Sequence, residues 1–277
     1  MMTTEKVSLT REKETLLITL YAKGEESRLP DSLLRDSFAA EAVGKIDYDF
    51  ARLKVDRDLM IGLAMRAAIL DGWTRDFIAS HPDATVLHIG CGLDSRVFRI
   101  DPAPGIRWFE VDFPEVVALR RRLYPARDGC TLVGASVTDP DWLDQVPGDR
   151  PAMIVAEGLL PYLAEDEVPR LLARLTGHLP AGELAFDAYT PLGLWLISLQ
   201  PSVRATGAKL RWAIDDPRDL ERQVPGLQLA TELRAYAGES YDPRQIARMS
   251  LGARLTIQFF EAIPALAKMG RILRYRF

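Results

Sequence analysis

Short apolar runs, bounded by turn residues and joined by segments of helical period, fill the chain from Ala84 onward. Thr85–Gly90, Arg107–Asp112, Cys130–Ser136, Ala152–Gly158 and Glu183–Tyr189 read as five strands. Pro114–Tyr124 reads as a helix, and so does the stretch carrying Val168, Leu171, Leu172, Leu175 and Leu179, whose regular part should begin near Pro169. Strand, turn and helix repeated in this order predict an α/β fold: a mostly parallel sheet with helices on both faces. Strand-like Leu227–Tyr236, a helix near Asp242–Leu251 and strand-like Arg271–Phe277 predict a closing antiparallel pair at the C-terminus. Residues 190–215 interrupt the alternation with Pro191, Gly193, Trp195, Pro201, Gly207 and Trp212. An insertion after a sheet strand is where substrate lids are built.

Residues 1–83 read as helical and irregular, an N-terminal helical cap on a sheet domain spanning 84–277. Apolar positions recur through Glu14–Tyr21, followed by a polar connection at Lys23–Pro30. In the helical stretch Val55–Ser80, Leu59, Leu63, Leu70, Trp73 and Phe77 share one face, and Arg66 falls inside that stripe. A guanidinium there must either snorkel out or meet an anion, because an unpaired buried charge is very costly. A ligand or a protein carboxylate would serve equally.

Composition narrows the partners more than the fold. At 277 residues, 48% hydrophobic and 27% charged, the chain can bury a large core. Its net charge of −4 offers no concentrated positive surface for nucleic acid, and Arg120–Arg122 with the arginines of 271–277 read as solvated faces. No secretory signal and no run long enough to cross a bilayer are visible. Two cysteines, Cys91 and Cys130, and three histidines at no metal-ligand spacing fit a reducing cytoplasm and no metal.

The candidate chemistry gathers at strand ends. Gly90-Cys-Gly92 keeps two glycines of the dinucleotide fingerprint, but Ser95 stands where the third would be, so nucleotide-like ligands other than NAD stay open. Asp112 ends the second strand, 22 residues after Gly90, where a carboxylate accepts both hydroxyls of a ribose; capping the Pro114 helix is the competing use. Glu110, deeper in that strand, is the weaker ribose candidate. Glu157 follows the apolar run Met153-Ile-Val-Ala and faces either a ligand crevice or a structural cation.

Val86-Leu-His-Ile-Gly-Cys-Gly-Leu-Asp-Ser-Arg96, Trp108-Phe-Glu-Val-Asp-Phe-Pro-Glu-Val116 and Ala156-Glu-Gly-Leu-Leu-Pro-Tyr-Leu163, in this order, resemble the leucine carboxyl methyltransferase family. The likeness is closest to its bacterial branch, which includes polyketide-tailoring O-methyltransferases of the tetracenomycin type. The resemblance implies a class I, Rossmann-like methyltransferase fold and S-adenosylmethionine as cofactor. It assigns Arg66 to the methionine carboxylate, Gly90 and Gly92 to the turn beneath methionine and ribose, and Asp112 to the ribose. It assigns Ser136 and Val137 to the adenine edge, Glu157 to the amino end, and Lys23 to a cofactor-binding lysine near the N-terminus.

His88 departs from the pattern, standing where many class I methyltransferases have an acid and relatives often have asparagine; it reads as a hydrogen-bonded core histidine. For the acceptor, a small molecule methylated on carboxylate or hydroxyl, Tyr162, Asp187, Tyr189, Trp195 and Trp212 are candidate lining residues, with packing as the competing role of each. The rival functions are a nicotinamide-dependent oxidoreductase and a non-catalytic cofactor-binding protein.

Overall fold

A computed structural model of the chain describes residues 5–7, 9, 11–235 and 242–277. Two short strands, β1 (Glu5–Lys6) and β2 (Ile46–Asp47), pair with each other. The main sheet holds β3 (Thr85–Ile89), β4 (Arg107–Asp112), β5 (Cys130–Gly134), β6 (Ala152–Ala156), β7 (Gly182–Tyr189), β8 (Gln228–Arg234) and β9 (Gly270–Arg276). They lie in the order β5-β4-β3-β6-β7-β9-β8. β3 through β7 are parallel, and β9 is antiparallel to both of its neighbours. The expected α/β fold, with its antiparallel C-terminal strand, is the observed one; Tyr236, the last residue of the expected eighth-strand run, lies outside the described residues.

The apolar runs produce this sheet because alternate strand residues must bury on opposite faces. Leu87 and Ile89 enter the core beneath α6 (Glu167–His178), whereas Val86 packs with Leu70 and Phe77 of α3 (Arg57–Ser80) and Val97 and Ile100 of α4 (Arg96–Ile100). α3 starts where Asp56 accepts the Leu59 amide at 2.8 Å. Its deeply buried line runs Ile61, Ala64, Leu70, Thr74, Phe77. Leu59 and Leu63, on the expected apolar face, pack against the cluster around Leu17 and Leu20 and also line a cavity.

The N-terminal helices differ from expectation at one point. α1 (Thr15–Ser27) runs through the residues expected to be a polar connection and buries Lys23. Gly24 permits this, since a Cβ there would stand 2.8 Å from Val43 Cγ2 and 3.1 Å from the Ala39 carbonyl oxygen in α2 (Ser37–Lys45). α1, α2 and α5 (Pro114–Leu123) share an apolar cluster around Leu17, Leu20, Ala42 and Leu119.

After β7 come α7 (Pro191–Ser198), α8 (Pro201–Thr206) and α9 (Asp219–Gln223). After β8 come α10 (Pro243–Ala247), α11 (Leu251–Glu261) and α12 (Pro264–Ala267). The single helix expected near 242–251 is split, because Asp242 and Ser250 each cap a new start. Two arginines expected in solvent are buried. Arg120 pairs with Glu110, and Arg271, enclosed because β9 sits between β7 and β8, pairs with Glu232 at 3.2 Å. Among the described residues no helix is long and apolar enough to cross a membrane.

Candidate active site

A cavity of about 980 Å³ opens at the C-terminal ends of β3, β4, β6 and β7. Its strand-end wall is polar, while Leu59 and Leu63 of α3, Leu196 and Ile197 of α7, and Ile257 and Phe260 of α11 supply apolar walls. Strand C-termini are where open α/β sheets bind ligands, since the turns there present free backbone groups.

The floor is the glycine turn. Gly90 and Gly92 have φ of +60° and +50°, in the left-handed region, and a Cβ on Gly90 would stand 2.7 Å from Leu159 Cδ1. Asp112 Oδ2 accepts the Gly92 amide at 2.7 Å and Oδ1 accepts the Phe113 amide at 2.7 Å. The capping use of Asp112 fails, because the residue at the α5 N-cap is Phe113, with no side-chain cap bond. Burial pushes the Asp112 carboxyl above its ordinary value, more than the two amides pull it down. Beneath the turn, Arg120 pairs with Glu110 and donates to the carbonyls of Gly92 at 2.9 Å and Asp94 at 2.8 Å. Ser95 has another use than the missing glycine: its hydroxyl donates to Asp36 at 2.5 Å. Ser136 and Val137 both line the cavity after β5, where the Val137 carbonyl is held by Trp142 Nε1 at 3.2 Å and Arg174 at 2.6 Å.

Beside the turn lies a buried charge cluster. Glu157 Oε1 takes Lys23 at 2.9 Å and the Arg66 NH2 group at 3.1 Å, and Oε2 takes Arg96 at 2.5 Å. Arg66 also holds Asp187 at 2.9 Å. Arg66 therefore meets protein carboxylates at the cavity wall. Lys23 holds Asp94 at 3.0 Å, and Arg99 joins Asp94 at 2.6 Å, Asp36 at 2.7 Å and Asp71 at 2.8 Å. Burial alone would raise the Glu157 carboxyl, but the charges of Lys23, Arg66 and Arg96 outweigh it and hold it far below the usual range. Asp94 is depressed in the same way by Arg99, Lys23 and Arg96. Burial pushes the Cys91 thiol up by contrast.

The expected acceptor residues divide. Tyr162, Asp187 and Tyr189 line the cavity. Asp187 is tied on every side, accepting the Gly158 amide at 2.5 Å and the Tyr189 hydroxyl at 3.3 Å besides Arg66. Burial raises the Tyr162 phenol above its ordinary value. The two tryptophans do not line it. Trp195 is 58% exposed, because Gly193, Leu196 and Ile197 turn the other face of α7 inward. Trp212 is 4% exposed and packs in the core against Phe186 at 6.2 Å between centroids. Trp195→Ala is therefore expected to leave cofactor binding and turnover within about twofold and stability within about 0.5 kcal/mol. Trp212→Ala should cost about 3–5 kcal/mol in urea titrations. A tenfold loss of turnover in the Trp195 variant would restore its stacking role.

Nothing local in the sequence points to Asp94, Arg96 or Asp71 as members of this cluster. Asp94 and Arg96 stand within Leu93-Asp-Ser-Arg96, a dense alternation of charge directly after a glycine turn. Asp71 lies five residues after Arg66 on α3, where helical period alone does not point it at the same cluster.

Residues 17–176 match the model of the leucine carboxyl methyltransferase family. The chain is 44% identical over 273 residues, 99% of each chain, to the tetracenomycin polyketide synthesis O-methyltransferase TcmP of Streptomyces glaucescens. It is 37% identical over 244 residues, covering 80% of this chain and 82% of the other, to the S-adenosyl-L-methionine-dependent methyltransferase dpfgK of Gibberella zeae. Among solved structures, a DUF574 family protein from Streptomyces avermitilis superposes with a TM-score of 0.60 at 15% identity, covering 95% of this chain and 96% of that one. At that identity the last likeness speaks for the fold alone.

Proposed function

This chain belongs to the leucine carboxyl methyltransferase family and is an S-adenosylmethionine-dependent methyltransferase, and on that premise we propose that it methylates an oxygen of a small aromatic molecule of polyketide type, a carboxylate in preference to a hydroxyl. The observation that carries the preference is the engagement of the strand-end acids. Asp94, Asp112, Glu157 and Asp187 each already hold a cation or a backbone amide. A hydroxyl acceptor needs a base within reach of its proton. A carboxylate is ionised at neutral pH and needs only orientation and removal of water. The polyketide class is supported by the name of the Streptomyces glaucescens relative and by the apolar walls of the cavity.

The donor set fits the cofactor. Gly90, Gly92 and Asp112 take the ribose side, and Ser136 and Val137 the adenine edge. Arg66 takes the carboxylate of the amino-acid end and Glu157 its amino group, with Lys23 holding Glu157 in place. S-adenosylmethionine supplies, when bound, an electrophilic sulfonium methyl. Tyr162, Asp187 and Tyr189 orient the acceptor from the strand ends, residues 1–83 form the cap, and residues 190–215 form the lid through Gly193, Leu196 and Ile197. The acceptor is cytoplasmic in this reading, and neither nucleic acid nor a membrane surface is a partner.

The test is transfer of labelled methyl from S-adenosylmethionine to a panel of aromatic hydroxy acids and their decarboxylated phenols. The expected label resides on the acids and is released as methanol by mild alkali, because esters hydrolyse and aryl ethers do not. Alkali-stable label, or label on the phenols alone, would overturn the carboxylate preference.

A further inference from the structure

His88 is a strand residue whose ring the proposed reaction does not use. It is 1% exposed in the middle of the sheet, opposite Glu110 on β4 and Val155 on β6, yet it reaches the wall of the cavity. Its Nε2 lies 3.1 Å from the NH1 group of Arg96. A guanidinium is only a donor, so that nitrogen must be unprotonated and the ring's proton sits on Nδ1. Nδ1 faces Glu110 Oε1 at 3.8 Å, and among the described residues neither atom has a hydrogen-bond partner. Burial draws the imidazole pKa below its ordinary value, which favours the neutral ring.

Arg96 is fully buried and its other groups are committed: Nε to Asp71 at 2.7 Å and NH2 to Glu157 at 2.5 Å. The position at 88 therefore has a narrow chemical requirement. A carboxylate there would crowd Glu110 and Asp94, which stand 3.8 and 3.9 Å from the ring. A cation would repel Arg96, and an apolar side chain would leave NH1 buried without an acceptor. A neutral acceptor satisfies all of these constraints.

We propose that His88 is a positioning residue for the amino-acid end of the cofactor site, its Nε2 holding the Arg96 guanidinium in the orientation that fixes the Glu157 carboxylate. The bond ties the β3 strand to the first residue of α4 across the glycine turn, and so adds a contact of its own between that turn and Glu157. Without it NH1 is buried with no acceptor, and the guanidinium must shift against its Asp71 anchor to find one, drawing NH2 away from Glu157 Oε2 while Lys23 and Arg66 hold Oε1. The inference rests on the reading of Glu157 as the acid at the amino end.

The test is calorimetric titration of S-adenosylhomocysteine into the full chain and into His88→Gln and His88→Leu, with thermal unfolding of each. Glutamine keeps an acceptor at the reach of Nε2; leucine keeps the bulk and removes the acceptor. The expected result is a Kd within about threefold of the parent for glutamine and raised tenfold or more for leucine. An unchanged Kd in the leucine variant, or an equal loss in the glutamine variant, overturns the inference. If His88→Leu does not fold, His88→Met removes the acceptor with a more adaptable side chain and is held to the same outcomes. Nitrogen-15 spectra of the parent supply a second readout: His88 should show an unprotonated Nε2 and a protonated Nδ1, and the opposite tautomer would overturn the proposal. If the parent binds no S-adenosylhomocysteine, the cofactor reading itself fails, a result distinct from equal binding by all variants.

Discussion

Glu157→Gln is expected to lose about 3–5 kcal/mol of folding stability, the cost of removing one partner from a buried ionic cluster. Glu157 is the anion shared by Lys23, Arg66 and Arg96, and all three cations are largely shut off from water. Glutamine nearly preserves the shape, but its NH2 group must face either Arg96 or the Lys23 and Arg66 pair, setting donor against donor. The attraction disappears while the desolvation of three cations remains. Urea titration of the two proteins at pH 7 measures the difference, and a change below about 1 kcal/mol would mean that the cations relax onto Asp94 and Asp187 at little cost.

The pH dependence follows from the depressed carboxyl of Glu157. Its folded pKa lies below the unfolded value of about 4.3, so the stabilisation is fully present above that value and is lost as pH falls toward the folded pKa. The stability gap between parent and variant should accordingly be constant from pH 8 to about pH 5 and narrow on further acidification. A gap that widens in acid would contradict the assignment. Cofactor affinity should fall with stability, because Glu157 also orients Arg66.

Asp112→Asn is expected to weaken S-adenosylhomocysteine binding about a hundredfold or more, since hydrogen bonds to a charged group contribute roughly 1.5–3 kcal/mol each and a ribose offers two. The folded protein should suffer less, about 1–2 kcal/mol, from turning one amide donor toward another. Asp112 accepts from Gly92 and Phe113, so asparagine must present its NH2 group to one of them. The sign with pH is opposite to that at Glu157. Burial raises the folded pKa of Asp112, so folding favours its protonated form, and that contribution is present in acid and lost as pH rises through the unfolded value of about 3.9 toward the folded one. Binding needs the ionised form, so affinity should decline as pH falls through a raised pKa, and asparagine should abolish that acid limb. Calorimetry of both proteins across this range decides it, and an equal Kd would remove Asp112 from the ribose site.

The sheet was legible in the chain because strand and helix are local patterns. An apolar run ending in Gly90-Cys-Gly92, and Asp112 closing the next strand, place the ligand edge of a parallel sheet from short-range order alone. The motifs are equally local, and they carry the likeness to the family and its cofactor without any long-range contact. What a side chain meets depends on residues far away in sequence, and there the chain was mute. Arg66 reads as a cation in an apolar stripe, but its partners Glu157 and Asp187 lie 91 and 121 residues further on. Trp195 and Trp212 share a predicted insertion and resemble a stacking pair, yet the phase of α7 sends Trp195 outward, while the non-helical segment after α8 carries Trp212 into the core against Phe186 of β7. Arg271 reads as solvated until β9 is seen to insert between β7 and β8. His88 acquires meaning only when α4 folds back over β3 and sets Arg96 against it. Sequence periodicity thus determined the elements and the end of the sheet where chemistry gathers, because it reports which residues leave water. Tertiary structure decided which buried charge answers which, because pairing in a low-dielectric interior is settled by geometry between elements.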